Sequence, residues 1–205
     1  MSRARRGILL VVSAPSGGGK TTLVKAALDA DASLSLSVSC TTRLPRRGER
    51  DGVDYRFVAP EEFERLRAAG EFVEYATVFD HAYATPRTPL DAAIAEGRDI
   101  LLDVDIQGAR SLKKAYPQDA VGIFVMPPSA GELEDRLRAR GTDDDAQIAR
   151  RLDRVREEVA AAREVGVYDY RIVNADRDRA ARELLSIIEA ERCRQTRQPP
   201  LELPE

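Results

Sequence analysis

Two cysteines and one histidine are all that 205 residues offer for thiol or imidazole chemistry. Cys40 and Cys193 lie far apart and in no metal-like spacing, which points to a reduced, cytoplasmic protein. An excess of either charge is missing too. Charged residues make up 33% of the chain yet leave a net charge of −3. No bulk attraction to nucleic acid or to an anionic membrane is therefore expected, and any basic site must be a local cluster. Long apolar runs are also absent. The run Ile8–Val12 behind Arg3, Arg5 and Arg6 is too short for a signal-peptide core, and no stretch approaches the ~20 residues of a membrane-spanning helix. No internal repeat is evident. A soluble chain of this length can bury a full core, as one domain with inserted subdomains.

Glycine, by contrast, is concentrated in one place. Ala14-Pro15-Ser16-Gly17-Gly18-Gly19-Lys20-Thr21 follows the apolar run and opens into the helical pattern Thr22–Leu28. Strand, Gly-rich turn and helix N-terminus together form the setting in which backbone N–H groups and a helix end cradle phosphate. Lys20 is expected to reach the β- and γ-phosphates, and the Thr21 hydroxyl to ligate Mg²⁺. The strict pattern G-x-x-x-x-G-K-[ST] begins with glycine, and here that position is Ala14. Its methyl is tolerated if Ala14 still belongs to the strand end.

Strand-like and helix-like segments alternate. Ile8–Ser13, Ile100–Val104, Val121–Val125 and Arg171–Val173 are compact apolar runs of the kind buried on both faces of a parallel sheet. Thr88–Glu96, Ala109–Ala115, Gly131–Arg140 and Asp178–Arg194 carry helical spacing. The order predicts an α/β fold, a P-loop-type parallel sheet flanked by helices with ligands at the carboxyl ends of its strands. Residues 8–33, 87–139 and 157–197 make up this core. Residues 34–86 hold shorter strands at Ser35–Ser39, Tyr55–Val58 and Phe72–Val78 and a helix signal at Pro60–Ala69, and read as an inserted mixed α+β subdomain. Residues 140–156 are dominated by charge and follow a Gly141-Thr142 break. They are either a helical lid or a solvated helix face. The tail 198–205 reads as disordered.

Three constellations carry chemistry. Arg43, Arg46 and Arg47 crowd a loop broken by Pro45 and Gly48, and guanidinium forks match phosphate oxygens in pairs. A second phosphate site and a surface basic loop are both open on spacing alone. Glu74, Tyr83 and Thr85 come next, then Asp103 and Asp105 at the end of a predicted strand, where Mg²⁺ or a ligand is normally handled. Asp103 sits among apolar neighbours, where an unpaired structural role would be costly. A helix-capping role is the alternative for Asp105. His81 reads as a surface loop residue rather than a base, because a phosphate nucleophile is already anionic.

Over roughly Ile8 to Arg194 the chain resembles the guanylate kinases. Ser-Ala-Pro-Ser-Gly-x-Gly-Lys is similar to a common bacterial form of their P-loop, Ala14 included. Ser39-x-Thr41-Thr42-Arg43-x-Pro45-Arg46-x-Gly48-Glu49, followed by Gly52, Asp54 and Tyr55, resembles their nucleoside-monophosphate loop. Leu102-Asp103-Val104-Asp105-x-Gln107-Gly108, Arg136-Leu137 with Arg140-Gly141-Thr142, Arg150-Arg151-Leu152 and Ile172-Val173-Asn174 complete the set in order.

The resemblance implies ATP-dependent phosphorylation of GMP or dGMP by a monomer or small homo-oligomer, with no nucleic-acid or membrane partner. It implies that Ala14 to Thr22 hold the ATP phosphates, with Arg136 beside them and Asn174 at the adenine. It implies that Arg43, Arg46, Tyr55 and Tyr83 hold the GMP phosphate in the loop that ends at Glu49. Guanine would be read by Ser39, Glu74, Thr85 and Asp105, with Asp103 close by. Lys20, Arg43, Arg46, Arg140 and Arg151 would surround the transfer, and Thr21 and, through water, Asp103 would hold Mg²⁺. Ala84 replaces a glycine usual in the family, and a loss of turn freedom beside Thr85 is expected. Two rivals share the fold. A ribose-bisphosphate kinase has no use for Ser39, Glu74 and Thr85, and the inactive scaffold modules of this type have lost the P-loop lysine, present here as Lys20.

Overall fold

The structure, a computed structural model, describes residues 5–15, 17–78, 80–139, 145–163 and 166–199. The expected sites at Ser16 and Arg140, the Gly141-Thr142 break and most of the tail from 198 lie outside these residues.

Five parallel strands form the large sheet, in the order β2-β7-β1-β8-β9. They are β1 (Leu9–Ser13), β2 (Leu34–Leu36), β7 (Asp99–Asp103), β8 (Ala120–Met126) and β9 (Tyr170–Val173). Every residue of central β1 is buried, and its side chains alternate between two apolar layers. Leu10 and Val12 meet Leu23, Val24 and Ala27 of α1 (Lys20–Ala30) and Ala180, Leu184 and Ile188 of α7 (Arg177–Arg192). Leu9 and Val11 meet Leu90, Ala93 and Ile94 of α3 (Arg87–Glu96) and Ala109 and Leu112 of α4 (Ile106–Ala115). Each such leucine or valine, fully buried, stabilises the fold by about 1.5–3 kcal/mol. Covering on both faces is the reason the sequence shows compact apolar runs instead of alternation.

The strand at residues 34–36 departs from the sequence reading. It does not belong to the insert but is the edge of the large sheet, with Leu34, Ser35 and Leu36 paired in parallel to Asp99, Ile100 and Leu101. The second sheet starts at Cys40, in the order β4-β3-β6-β5, from β3 (Cys40–Thr41), β4 (Arg56–Phe57), β5 (Phe72–Val78) and β6 (His81–Pro86). Helix α2 (Pro60–Ala68) covers it and opens on a proline with Glu61 and Glu62 in its first turn. That placement suits both the free N–H groups and the helix dipole. Strand β6 runs without a connecting residue into α3. His81 therefore opens a strand, half-buried, rather than standing in a loop. Ala84 lies mid-strand, paired with both Cys40 and Tyr75 and 1% exposed. Extended backbone there needs no glycine, so the expected loss of turn freedom does not arise.

The charged stretch after α5 (Ala130–Ala139) folds as α6 (Asp145–Ala161). Ile148, Leu152, Val155 and Val159 form a stripe on α6 against Leu133 and Leu137 of α5, so only part of this helix is a solvated face. At the opposite end of the sheet Asp99, 2% exposed, accepts two bonds from Arg5, one from Arg192 and one from the Ile8 N–H. A carboxylate this deep is tolerated only with such partners. Among the described residues no helix is long and apolar enough to cross a membrane.

Candidate active site

The glycine-rich turn leaves the carboxyl end of β1 beside β7 and β8, where ligands bind in sheets of this kind. Gly17 and Gly19 both adopt φ of +86°, conformations that a side chain strains. The Gly18 N–H closes the turn onto the Pro15 carbonyl at 2.8 Å. Gly19 is the residue before α1, so the free N–H groups of the first helical turn face the same side as the turn.

Lys20 and Thr21 begin the helix and meet the end of β7. The Lys20 ammonium lies 2.5 Å from Asp103 Oδ1 and donates to the Val104 carbonyl at 2.8 Å. The Thr21 hydroxyl donates to Asp103 Oδ2 at 3.3 Å. Asp105 caps α4 by accepting from the Gly108 N–H at 2.8 Å, so the capping alternative for this residue is realised. Its backbone carbonyl also accepts from Ser13 at the end of β1.

The insert supplies a second cationic group. Glu49 takes both terminal nitrogens of Arg43, at 3.0 and 2.9 Å, and also the Arg46 N–H at 2.7 Å. This pairing holds the Glu49 carboxyl below the usual range, chiefly through Arg43, and raises the Arg43 guanidinium. Arg43 Nε donates to the Tyr83 hydroxyl at 3.3 Å, and its guanidinium lies over the Tyr55 ring, 5.4 Å from the centroid. Tyr55 and Tyr83 meet edge to face. Burial raises the Tyr55 hydroxyl, with Tyr83 adding to the shift and Arg43 opposing it. Arg46 itself is exposed, and Ser39 is half-buried beside β4, its carbonyl accepting from the Arg56 N–H at 2.9 Å.

Glu74 is half-buried on β5, its carboxyl carbon 3.5 Å from where a Cβ on Gly108 would stand. The Thr85 hydroxyl, on the paired residue of β6, donates to Glu74 Oε1 at 2.5 Å. Burial pushes the Glu74 carboxyl above the usual range, the Thr85 bond opposes this, and the charge of Asp105 reinforces it. A carboxylate so placed looks for N–H donors. Of the other expected site residues, Arg151 is half-buried on α6, and Arg136 on α5 donates to the Asn174 carbonyl at 2.9 Å.

Leu133 and Leu137 were legible in the sequence only as core. A Cβ on Gly17 would stand 2.9 Å from Leu133 Cδ1 and 3.3 Å from Leu137 Cδ2, so the apolar core between α5 and α6 lies against the glycine turn. No signal in the sequence marks that contact. The Val104 carbonyl was equally hidden, since its role depends on backbone position alone.

A family model, guanylate kinase, matches residues 6–191. The chain belongs to the guanylate kinase family. It is 48% identical over 198 residues to the guanylate kinase of Maricaulis maris, covering 97% of this chain and 89% of the relative. With the guanylate kinase of Aromatoleum aromaticum it shares 50% over 192 residues, covering 94% and 92%. The crystal structure of guanylate kinase from Anaplasma phagocytophilum superposes with a TM-score of 0.71 at 36% identity, covering 95% of this chain and 90% of that one. At this identity to named guanylate kinases over nearly its whole length the chain is an enzyme, a nucleotide-binding kinase, with the α/β fold and second mixed sheet described above.

Proposed function

We propose that this chain transfers the γ-phosphoryl group of ATP to the phosphate of GMP or dGMP, giving ADP and GDP or dGDP. The observation that carries the reading is that one chain builds two unlike anion sites and, on β5, a half-buried carboxylate raised by burial. One is a backbone cradle with Lys20, suited to the donor's polyphosphate. The other is Arg43, braced by Glu49 beside Tyr55 and Tyr83, suited to a monophosphate. Glu74 can accept from the N1 and N2 donors of guanine.

In this reading a GMP phosphate oxygen attacks Pγ in line, and the bond from Pγ to the β–γ bridging oxygen breaks. The nucleophile is already anionic, so no protein base is required, and the chain's work is positioning and charge neutralisation. Lys20 neutralises the oxygens around the broken bond, while Arg43 and Arg46 hold the incoming phosphate. Arg140 and Arg151, the latter on α6, would approach the transferring group from the lid, and closure over the site would exclude water. Arg136 would stand beside the ATP phosphates.

A divalent cation fits the residues present. Thr21 Oγ1 and Asp103 Oδ2, 3.3 Å apart, are hard oxygen donors of the type Mg²⁺ prefers. Among the described residues no cluster of three or more His, Cys, Asp or Glu could hold a metal. The cation would therefore rest largely on substrate phosphates, with Thr21 directly and Asp103 through water. When bound, Mg²⁺ would neutralise phosphate oxygens of the donor. Cys40 and Cys193 are both free thiols, consistent with work in the cytoplasm.

A coupled assay offering GMP, AMP, UMP and ribose bisphosphate with MgATP tests the reading. GMP is expected to exceed the others in kcat/KM by about 10⁴-fold, because other bases leave Glu74 without its donor pair. Comparable turnover of AMP, or preference for ribose bisphosphate, would overturn it. The pH profile supplies a second test. Because Glu74 is raised by burial, kcat/KM for GMP should fall on the acid side at a higher pH than an ordinary carboxylate would give. The limb should vanish in Glu74→Gln. A profile whose acid limb survives that substitution would place it on another group.

A further inference from the structure

Asn174, in the turn between β9 and α7, is bound at three points. Its N–H donates to the Met126 carbonyl at 2.7 Å, and its own carbonyl accepts from Arg136 at 2.9 Å. Its side-chain Nδ2 donates to the Gly18 carbonyl at 3.0 Å. The residue is only 7% exposed, so its amide must be partnered, and an amide facing a carbonyl must present its nitrogen. The fit against the turn is close enough that a Cβ on Gly19 would lie 2.4 Å from Nδ2.

The direction of that bond has a stereochemical consequence. The Gly18 C=O and the Gly19 N–H belong to one planar trans peptide, and in such a unit the two bonds point in opposite senses. Drawing the Gly18 oxygen towards Asn174 turns the Gly19 N–H the other way. A left-handed residue with its N–H turned inward is the element from which a backbone anion nest is made. We propose that Asn174 is a positioning residue of the phosphate cradle, fixing the Gly18–Gly19 peptide so that its N–H addresses the donor's phosphates, and that through Arg136 it ties the base of α5 to the same peptide. This rests on the reading of the glycine turn as the ATP phosphate site, and it differs from a role at the adenine ring.

Inorganic tripolyphosphate, which has no base, separates the two roles. Affinities for ATP, tripolyphosphate and GMP are measured by calorimetry on the full chain, wild type and Asn174→Ala. The expected result is a loss of about tenfold for both ATP and tripolyphosphate, in the same proportion, with GMP unchanged. A loss confined to ATP would assign Asn174 to the base and overturn the proposal, as would no loss for either ligand. Asn174→Asp keeps the side-chain volume and sets a carboxylate oxygen against the Gly18 carbonyl. It should weaken both ligands further, and it serves as the test should the alanine variant not fold. Tripolyphosphate affinity at the wild-type level in Asn174→Asp would equally overturn the proposal. Wild type that binds neither ATP nor tripolyphosphate would refute the donor-site reading itself. Wild type that binds both, beside an unimpaired variant, would refute the positioning role alone.

Discussion

Lys20→Ala is expected to lower kcat by about 10³-fold, the scale on which one preorganised group facing developing charge contributes to a transition state. Its ammonium stands at the end of β7, touching Asp103 and the Val104 carbonyl, and is 19% exposed. Removing it takes away the positive charge nearest the glycine turn and leaves Asp103 with the Thr21 hydroxyl and with solvent, being itself 31% exposed. Partly solvated ion pairs contribute little to folding, so the variant should melt close to wild type. Single-turnover rates with GMP and MgATP, read beside a thermal melt, check both halves. A folded variant with near-normal turnover would remove Lys20 from the mechanism.

Glu74→Gln should lower kcat/KM for GMP by about 10³-fold while leaving the KM for ATP near its original value. The substitution replaces one acceptor with an N–H₂ group, so a donor would face the donors of guanine in a site with little water to compensate. Thr85 still has a partner in the remaining amide oxygen, so the hydroxyl is not orphaned. Stability should move the other way. The Glu74 carboxyl is raised in the fold, so the folded state favours its protonated form. Its contribution is best at low pH and is lost as pH rises through the raised value. Glutamine mimics the protonated form, and at neutral pH the variant should melt at or above the wild-type temperature. A variant that keeps GMP turnover, or that discriminates GMP from AMP as wild type does, would show that guanine is read elsewhere.

The glycine turn with Lys20-Thr21 carries its signal within a few residues, because that signal depends on residue type at short range. The arginine loop and Asp105 left a surface loop and a helix cap open on spacing alone, and Asp105 does cap α4. The long strands were legible for a similar reason, since burial on both faces leaves compact apolar runs. What stayed hidden depends on distant pairing. Leu34-Ser35-Leu36 alternates as an insert strand would, and only its register on Asp99–Leu101 places it at the edge of the large sheet. Cys40–Thr41 is too short to carry a pattern, and His81–Pro86 owes its strand conformation to neighbours on both sides. The apolar stripe Ile148, Leu152, Val155 and Val159 was present in the sequence but outweighed by surrounding charge. Asn174 and Gly18 meet across 156 positions, a contact no local pattern announces.

The two places where the chain crosses between the sheets have a mechanical meaning. It leaves the large sheet after Leu36, where the Ser37 N–H is still bonded to the Leu101 carbonyl at 2.8 Å. It returns where β6 passes directly into α3. Between these crossings the second sheet also leans on the large one, because Val73 of β5 packs against the apolar layer of Leu9, Val11 and Leu112. Arg43 follows β3 and Glu74 lies on β5 of this one four-stranded sheet, so in the proposed reaction the groups for the monophosphate and for its base would be carried by a single body. A monophosphate with the wrong base would then lose the Glu74 contact on the same sheet that holds its phosphate.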